Sequence, residues 1–199
     1  MNTPLNIHLF SPEQDKYVSA LLHERVDSTF ARRADDLWQA HLEGIKLSGR
    51  TLEESEHDHW RWERKVADSV RLLSCPTFAI ECNNEPQGLM LLTTDGYFGR
   101  LETQIGKPLV YVTYLACAPW NDKKVAEIRR FKGVGSILIR AAIETSIDIG
   151  FKGRIGLHSL PQSEDFYEKC GFDYQGIDAS MGDLKYFELN QKAASEFIK

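Results

Sequence analysis

The chain has 199 residues, of which 42% are hydrophobic and 27% are charged, as expected of a globular domain with a sizeable core. Its 29 acidic residues outnumber its 24 basic ones and give a formal net charge of −5. This balance argues against a general nucleic-acid binder, because such a protein presents a basic face. No segment reaches the roughly 18 consecutive apolar residues of a membrane span.

The first residues and the cysteines favour a cytoplasmic protein. The N-terminal segment lacks the basic and apolar regions of a signal peptide. The four cysteines are widely spaced and form no Cys-x-x-Cys pair, which is typical of free thiols in a reducing compartment. We therefore expect a cytoplasmic localisation and no membrane contact.

The chain opens with one predicted strand and then a region of predicted helices. Residues 6–10 alternate as in a strand, and Ser11 followed by Pro12 predicts a helix that runs to about residue 24. Apolar spacing predicts a second helix over residues 31–47.

A third helix is predicted from the capping box Thr51-x-x-Glu54. It carries an apolar stripe at helical spacing, formed by Trp62, Val66, Val70 and Leu73. The extended N-terminal helical region is therefore predicted to cover about residues 11–75.

The rest of the chain is predicted to supply most of the sheet. Apolar, β-branched runs predict strands over residues 77–82, 88–94, 108–117, 154–159, 174–177 and 184–189. Helices are predicted over residues 133–149 and 161–169. The expected fold is one α/β domain of the α+β type over residues 1–199, in which helices flank a mainly antiparallel central sheet of about six to seven strands.

A glycine-rich turn precedes the predicted helix at 133–149. The segment Arg130-Phe131-Lys132-Gly133-Val134-Gly135 leads into Ser136 and an apolar helical run. Such a turn aims free backbone N–H groups and the positive end of the helix dipole at one point, which favours a phosphate. It is neither a P-loop nor a complete dinucleotide fingerprint. On these residues alone, an ordinary loop that enters a helix remains the alternative.

Two motifs in sequence order resemble the GNAT superfamily of acyl-coenzyme A-dependent N-acyltransferases. The first is Arg-x-x-Gly-x-Gly after a buried strand, and the second is Phe166-Tyr167-Glu168-Lys169-x-Gly171-Phe172 after the next strand. The resemblance covers about residues 76–189. It implies the GNAT fold, acetyl-CoA as co-substrate, and direct attack of an amine on the thioester.

The resemblance also implies contacts for the coenzyme. Leu115-x-Cys117-x-Pro119 is similar to the family's Leu-x-Val-x-Pro, so the backbone of Leu115, Ala116 and Cys117 is expected to bind the pantetheine arm. The phosphates are expected at Arg130, Phe131, Lys132, Gly133, Val134, Gly135 and Ser136. Nothing near Cys117 marks an activating base, so a structural role is favoured over a nucleophilic one.

Tyr167 is the predicted general acid, because a phenol can deliver a proton to the departing thiolate and the matching tyrosine does so in many relatives. The predicted general base is His158, which titrates in the useful range. Glu81, Glu102 and Asp122 are alternatives that could act through water. The pair His57-x-His59 points its rings apart on a helix, and no metal is expected.

Two features depart from the family pattern. Residues 120–129 form an insertion between the strand and the phosphate loop, and the asparagine common before the Phe-Tyr motif is absent. The insertion and the N-terminal helices are expected to form the acceptor pocket, or the helices a homodimer face. Trp60, Trp62 and Trp120 are candidates for aromatic pocket walls, with core packing as the alternative for each.

The net charge favours a small cationic amine over a nucleic acid as acceptor. Two other functions stay open. One is a toxin-type acetyltransferase that acts on aminoacyl-tRNA, for which Lys123, Lys124, Arg129, Arg130 and Lys132 are the basic cluster. The other is a non-catalytic acyl-CoA-binding module.

Overall fold

The structure is a computed structural model that describes residues 3–51, 60–69 and 71–199. The strands are β1 Leu5–Ser11, β2 Lys16–Glu24, β3 Thr77–Cys82, β4 Glu85–Thr93, β5 Val110–Cys117, β6 Ile155–Ser159, β7 Asp173–Asp178 and β8 Leu184–Leu189. The α-helices are α1 Ser28–Leu47, α2 Trp62–Ser69, α3 Val134–Asp148, α4 Glu164–Lys169 and α5 Gln191–Phe197. None of these helices is long and apolar enough to cross a membrane.

The strands form one open sheet in the order β1-β2-β3-β4-β5-β6-β8-β7. The pairs β1–β2, β2–β3, β3–β4, β6–β8 and β7–β8 are antiparallel. Strands β5 and β6 are parallel, since α3 carries the chain back to the same end of the sheet between them. The predicted mixed α/β fold with a mainly antiparallel sheet is confirmed, although the described sheet has eight strands rather than six or seven.

The extra strand is β2, where the predicted helix over residues 11–24 is wrong. Residues 12–15 form a tight turn, in which Asp15 has a φ of 47°, and β2 then pairs with β1 and β3. Proline after serine suits a helix start and a turn equally well. Pairing on both sides decides for the strand.

The helices α1 and α2 are held together by the carboxylate of Asp35. Asp27 caps α1 through the N–H of Phe30, and Asp35 within α1 accepts the N–H groups of Trp62 and Glu63 at the start of α2. These bonds satisfy backbone donors that a helix start leaves unpaired.

The predicted third helix is only partly described. Glu54 of the predicted capping box and Val70 of the apolar stripe lie outside the described residues. Trp62 and Val66 are buried as predicted, whereas Leu73 lies in an exposed turn after the helix. Helix α5 was not predicted; it is capped by Asn190, whose side chain accepts the N–H of Ala193.

Residue contacts group the chain into two compact units. The first comprises residues 1–91 and 115–138, and it contains α1, α2 and the start of α3. The second comprises residues 92–114 and 139–199, and it contains β6 to β8, α4 and α5. The largest fully buried side chains of the first unit include Leu9, Ile80 and Leu89, and those of the second include Ile143, Ile155 and Phe187.

Candidate active site

The glycine-rich turn adopts a left-handed conformation at one of its two glycines, whereas Gly135 lies within the first turn of α3. Gly133 has a φ of 94°, in the region that residues with a β-carbon rarely occupy. Helix α3 begins at the next residue, Val134, and Ile137 donates its N–H to the carbonyl of Gly133. Gly133 is therefore the residue that lets the chain turn sharply into the helix.

The supply of free N–H groups in this turn is smaller than predicted. The N–H of Phe131 is donated to Asn121 Oδ1 at 2.9 Å, and that of Lys132 to the carbonyl of Phe10 at 2.8 Å. The N–H of Arg130 is donated to the carbonyl of Trp120. These three amides are bonded within the protein, so Phe131 and Lys132 leave the predicted set of backbone donors to phosphate.

The amides that follow keep the predicted role open. Within the described part of the chain, no acceptor takes the N–H of Gly133, Val134 or Ser136. The N–H of Gly135 lies against the Cys117 thiol and stabilises its charged form. The N–H groups of Gly133, Val134 and Ser136 are thus the unpaired donors of the described residues at the start of α3, where the helix dipole favours an anion.

The two basic side chains of the turn differ in their surroundings. The Arg130 guanidinium forms an ion pair with Glu85 and lies 4.6 Å from the centre of the Trp120 ring. Lys132 is exposed, with its ammonium 5.7 Å from the centre of the Phe10 ring. Lys132 is therefore the better cation for a phosphate, because Glu85 already balances the charge of Arg130.

A glycine outside the motif sets the position of the turn. A β-carbon on Gly88 of β4 would lie 2.6 Å from Val134 Cγ1 and 3.2 Å from the carbonyl oxygen of Ala116. The 2.6 Å contact is shorter than real β-carbons make and the 3.2 Å contact is tighter than most, so glycine lets β4 approach the start of α3 this closely. Sequence reasoning missed Gly88, because an isolated glycine in a strand gives no sign of what approaches it.

The three residues of β5 predicted to bind the pantetheine arm have different exposures. Leu115 and Cys117 are half-buried, whereas Ala116 is buried. Burial, with the Asp122 carboxylate as a smaller cause, raises the pKa of the Cys117 thiol to about 12. The thiol therefore stays protonated at neutral pH, as expected of a structural cysteine.

Tyr167 lies on α4 and is buried among aromatic rings. Its ring contacts those of Phe166, Phe172 and Phe187, at centroid distances of 5.2, 5.5 and 6.4 Å. This packing fixes the ring, as a proton donor requires. The same packing also fits a purely structural role for Tyr167, between the short helix and the sheet.

His158, the predicted base, has both ring nitrogens engaged. Its Nε2 lies 3.1 Å from Asp178 Oδ2, and its Nδ1 lies 2.7 Å from the Tyr111 hydroxyl. A carboxylate only accepts, so Nε2 carries the proton and Nδ1 accepts from the hydroxyl. The side chain is 5% exposed. Burial lowers the pKa of His158 despite the neighbouring carboxylate.

This geometry is that of a polar network rather than of a free base. The guanidinium of Arg100 lies 2.8 Å from Asp178 and 4.1 Å from the centre of the Tyr186 ring. Hydrogen bonds from Ser180, Arg100 and His158 hold the pKa of Asp178 well below its usual range. The network links β6, β7 and β8, and it leaves His158 without a lone pair for an incoming amine.

Two of the three alternative bases, Glu81 and Asp122, also have partners. Glu81 accepts from His23 at 2.9 Å and forms an ion pair with Arg33. Asp122 accepts the N–H of Lys124 at 2.9 Å. Glu102 is exposed in a short 3-10 turn.

No group of three or more potential metal ligands occurs among the described residues. His57 and His59 lie outside them.

The aromatic residues considered for the acceptor pocket separate into two groups. Trp120 is buried, and its Nε1 donates to Gln87 Oε1 at 2.8 Å, so it belongs to the interior. Trp60 and Trp62 border a cavity of about 30 Å³ beside Cys117 and Asp122. A cavity of this size holds about one water molecule.

Comparison with known proteins identifies the family. The model of the "Acetyltransferase (GNAT) family" matches residues 42–172. The chain belongs to the GNAT acetyltransferase family. This confirms the family and the kind of enzyme that the two motifs predict. None of the curated proteins matches the chain.

Solved structures share the GNAT fold with this chain. A structure described as a bacterial toxin has a TM-score of 0.59 at 15% identity, with 89% of this chain and 93% of that one covered. A GNAT acetyltransferase from Listeria monocytogenes 4b F2365 has a TM-score of 0.55 at 14% identity, with 92% and 99% covered. The PaiA N-acetyltransferase from Thermoplasma acidophilum, in complex with coenzyme A, has a TM-score of 0.51 at 17% identity, with 86% and 98% covered. At these identities the likeness extends to the fold alone.

Proposed function

We propose that this chain is an N-acetyltransferase that moves the acetyl group of acetyl-CoA to a small amine by direct attack. The observation that carries the proposal is the turn at Gly133. Its positive φ turns the chain into α3, whose first N–H groups have no acceptor among the described residues at Val134 and Ser136, and the exposed Lys132 precedes them in the chain. Unpaired amides, a helix dipole and a lysine together suit a pyrophosphate.

The reaction needs few groups from the protein. The lone pair of the neutral amine attacks the carbonyl carbon of the thioester, the carbon–sulfur bond breaks, and the thiolate takes a proton. The amine loses a proton in the same sequence. We assign Tyr167 as the acid that donates the proton to the thiolate sulfur, because three phenylalanines fix the position of its ring. The backbone of Leu115, Ala116 and Cys117 is assigned to the pantetheine arm.

No side chain is assigned as the general base. The engaged nitrogens of His158 and the ion pairs of Glu81 argue against both. Deprotonation by water, or binding of the small neutral fraction of the amine, needs no such residue.

A small cationic amine suits the charge around the turn better than a polyanion does. Arg130 is balanced by Glu85, and the segment over residues 122–132 carries Asp122 before its basic residues and Glu127 between them. A continuous basic face, which a tRNA acceptor requires, is therefore not expected at this position.

Binding of the donor tests the site. Acetyl-CoA is expected to raise the melting temperature of the wild type by mass action and not that of Gly135→Glu, which adds a carboxylate among the phosphate donors. Gly44→Glu is the matched control, because a β-carbon at Gly44 meets nothing within 4 Å. An equal shift in wild type and Gly135→Glu would remove this turn from the site.

Turnover tests the chemistry. A panel of amines, with aminoacyl-tRNA as one member, is assayed for release of free coenzyme A thiol. Acetylation of a small amine is expected. Modification of the tRNA alone would favour the toxin-type function, and binding without turnover on every member would favour a non-catalytic module.

The role of Tyr167 as general acid is tested by the kinetics of Tyr167→Phe. Tyr167→Phe keeps the ring and removes the hydroxyl, so kcat is expected to fall by roughly 10²–10⁴-fold with little change in the Kd of acetyl-CoA. A correctly folded variant with near-normal kcat would leave Tyr167 with a packing role only.

A further inference from the structure

Two buried amide side chains, Gln87 on β4 and Asn121 after β5, are hydrogen-bonded to each other and, through Asn121, to Phe131 of the proposed phosphate turn. Gln87 is completely buried and Asn121 is 7% exposed. Buried amides are costly unless they are hydrogen-bonded, so their partners show what they hold in place.

Asn121 joins the two ends of the insertion. Its Oδ1 accepts the N–H of Phe131 at 2.9 Å, and the N–H of Arg130 is donated to the carbonyl of Trp120 at 3.0 Å. Residues 122–129 therefore leave and re-enter the fold at one point, as an Ω-like loop does. The residue that Asn121 fixes, Phe131, is two positions before Gly133.

Gln87 fastens this junction to the sheet. Its Oε1 accepts from Trp120 Nε1 at 2.8 Å and from Asn121 Nδ2 at 3.1 Å. Its Nε2 donates to the carbonyls of Cys82 and Glu85 at 3.3 and 3.0 Å. All the hydrogen-bonding positions of this amide are thus used within the β3–β4 hairpin and the insertion.

The turn has another backbone hydrogen bond in the same unit, and the side chains of Phe131 and Val134 are buried. Lys132 donates its N–H to the carbonyl of Phe10, and the carbonyl of Gln87 accepts the N–H of Ala118. The N–H groups assigned to phosphate follow immediately. An error in the position of Phe131 is therefore transmitted along the chain to Gly133 and Val134.

We propose that Gln87 and Asn121 are positioning residues for the coenzyme phosphates, which they orient through the backbone of Phe131. The inference rests on the proposed function. It assigns a role to the insertion. The hydrogen bonds of Gln87, Trp120 and Asn121, called the clamp below, hold the two ends of the insertion and the phosphate turn together.

The test compares two acetyl donors, acetyl-CoA and S-acetylpantetheine, which lacks the nucleotide and its phosphates. Asn121→Ala removes the acceptor of the Phe131 N–H. We expect its KM for acetyl-CoA to rise about tenfold or more, because a small displacement of a binding group has effects of this order. Its kcat with saturating acetyl-CoA and its kcat/KM with S-acetylpantetheine are expected to stay near those of the wild type.

Gln104→Ala is the matched control. Gln104 is also a buried amide, and it donates to Glu188 at 2.8 Å in the other unit. This variant is expected to lose stability as Asn121→Ala does and to keep the wild-type KM for acetyl-CoA. A second variant, Trp120→Phe, removes only the indole donor to Gln87 and is expected to raise that KM by about threefold; it serves if Asn121→Ala does not fold.

Three results would overturn the inference. One is an unchanged KM for acetyl-CoA in every variant of the clamp. The second is an equal loss with both donors, which is the pattern of general destabilisation. The third is a rise in the KM for acetyl-CoA of Gln104→Ala as large as that of Asn121→Ala. A wild type that binds no coenzyme A in calorimetry refutes the proposed function itself, and that measurement needs no variant.

Discussion

The contact between β4 and α3 gives a prediction whose size follows from measured distances. In Gly88→Ala the new β-carbon would lie 2.6 Å from Val134 Cγ1, 3.2 Å from Leu138 Cδ1 and 3.2 Å from the carbonyl oxygen of Ala116. Carbon atoms in contact are normally about 3.5–4.0 Å apart, so strand and helix must separate by about 1 Å. Overpacking of this kind costs about 1–3 kcal/mol of the free energy of unfolding.

The displacement is also expected to weaken coenzyme binding. Val134 is the first residue of α3 and contributes one of the unpaired N–H groups. Gly88→Ala should therefore lower the urea midpoint of unfolding and raise the Kd of acetyl-CoA together. Both are measured on the same preparation, by fluorescence-detected unfolding and by calorimetry.

A double variant separates the clash from other effects. Val134→Ala removes the γ-methyl groups and alone costs about 1–2 kcal/mol. In Gly88→Ala/Val134→Ala the shortest contact is gone, so the combined loss is expected to be smaller than the sum of the single losses. Gly44→Ala, which has open space within α1, is expected to stabilise by about 0.5–1 kcal/mol. A Gly88→Ala protein as stable as the wild type would refute the reasoning.

Three further predictions concern titratable groups. Hydrogen bonds from Ser180, Arg100 and His158 lower the pKa of Asp178 in the folded protein. The Asp178 carboxylate therefore stabilises the fold above its pKa in the unfolded chain, about 3.9, and this stabilisation is lost as the pH falls through the lower pKa of the folded state. Asp178→Asn should therefore flatten the acid limb of the unfolding free energy below about pH 4 in urea titrations; a limb unchanged from the wild type would contradict this. His158→Gln is expected to lower stability and to keep the shape of the pH profile of kcat/KM, whereas loss of an ascending limb would restore His158 as the base. Because burial raises the pKa of Cys117 to about 12, its alkylation by iodoacetamide at pH 8 should be far slower than that of a cysteine peptide, as followed by mass spectrometry, and rapid labelling would show the assigned protonation to be wrong.

The sequence alone was sufficient for the features that depend on local chemistry. The turn at Gly133 was predictable because positive φ and a following apolar helix leave a local signature. The strands β3, β5 and β6 were predictable because continuous apolar, β-branched runs have few other uses. The two motifs in their order were enough to identify the family, which the family model over residues 42–172 confirms.

The tertiary structure decided what depends on partners far away in the chain. Ser11-Pro12 suits a helix or a turn, and pairing of β2 with β3, more than fifty residues later, makes the segment a strand. His158 alone looks like a base, yet Tyr111 and Asp178 occupy its two nitrogens from other strands. Local spacing carries no record of such contacts, because they form only when the sheet brings distant strands together.

The same reason explains why the clamp on the phosphate turn was not predicted. Gln87 and Asn121 are 34 residues apart, and nothing in the sequence of either segment shows that their amides meet. The sequence determined that a glycine turn leads into α3. Burial and long-range hydrogen bonds determined which N–H groups of this turn have partners within the protein and which side chains supply them, because those choices are made only when β4, β5 and α3 are packed together.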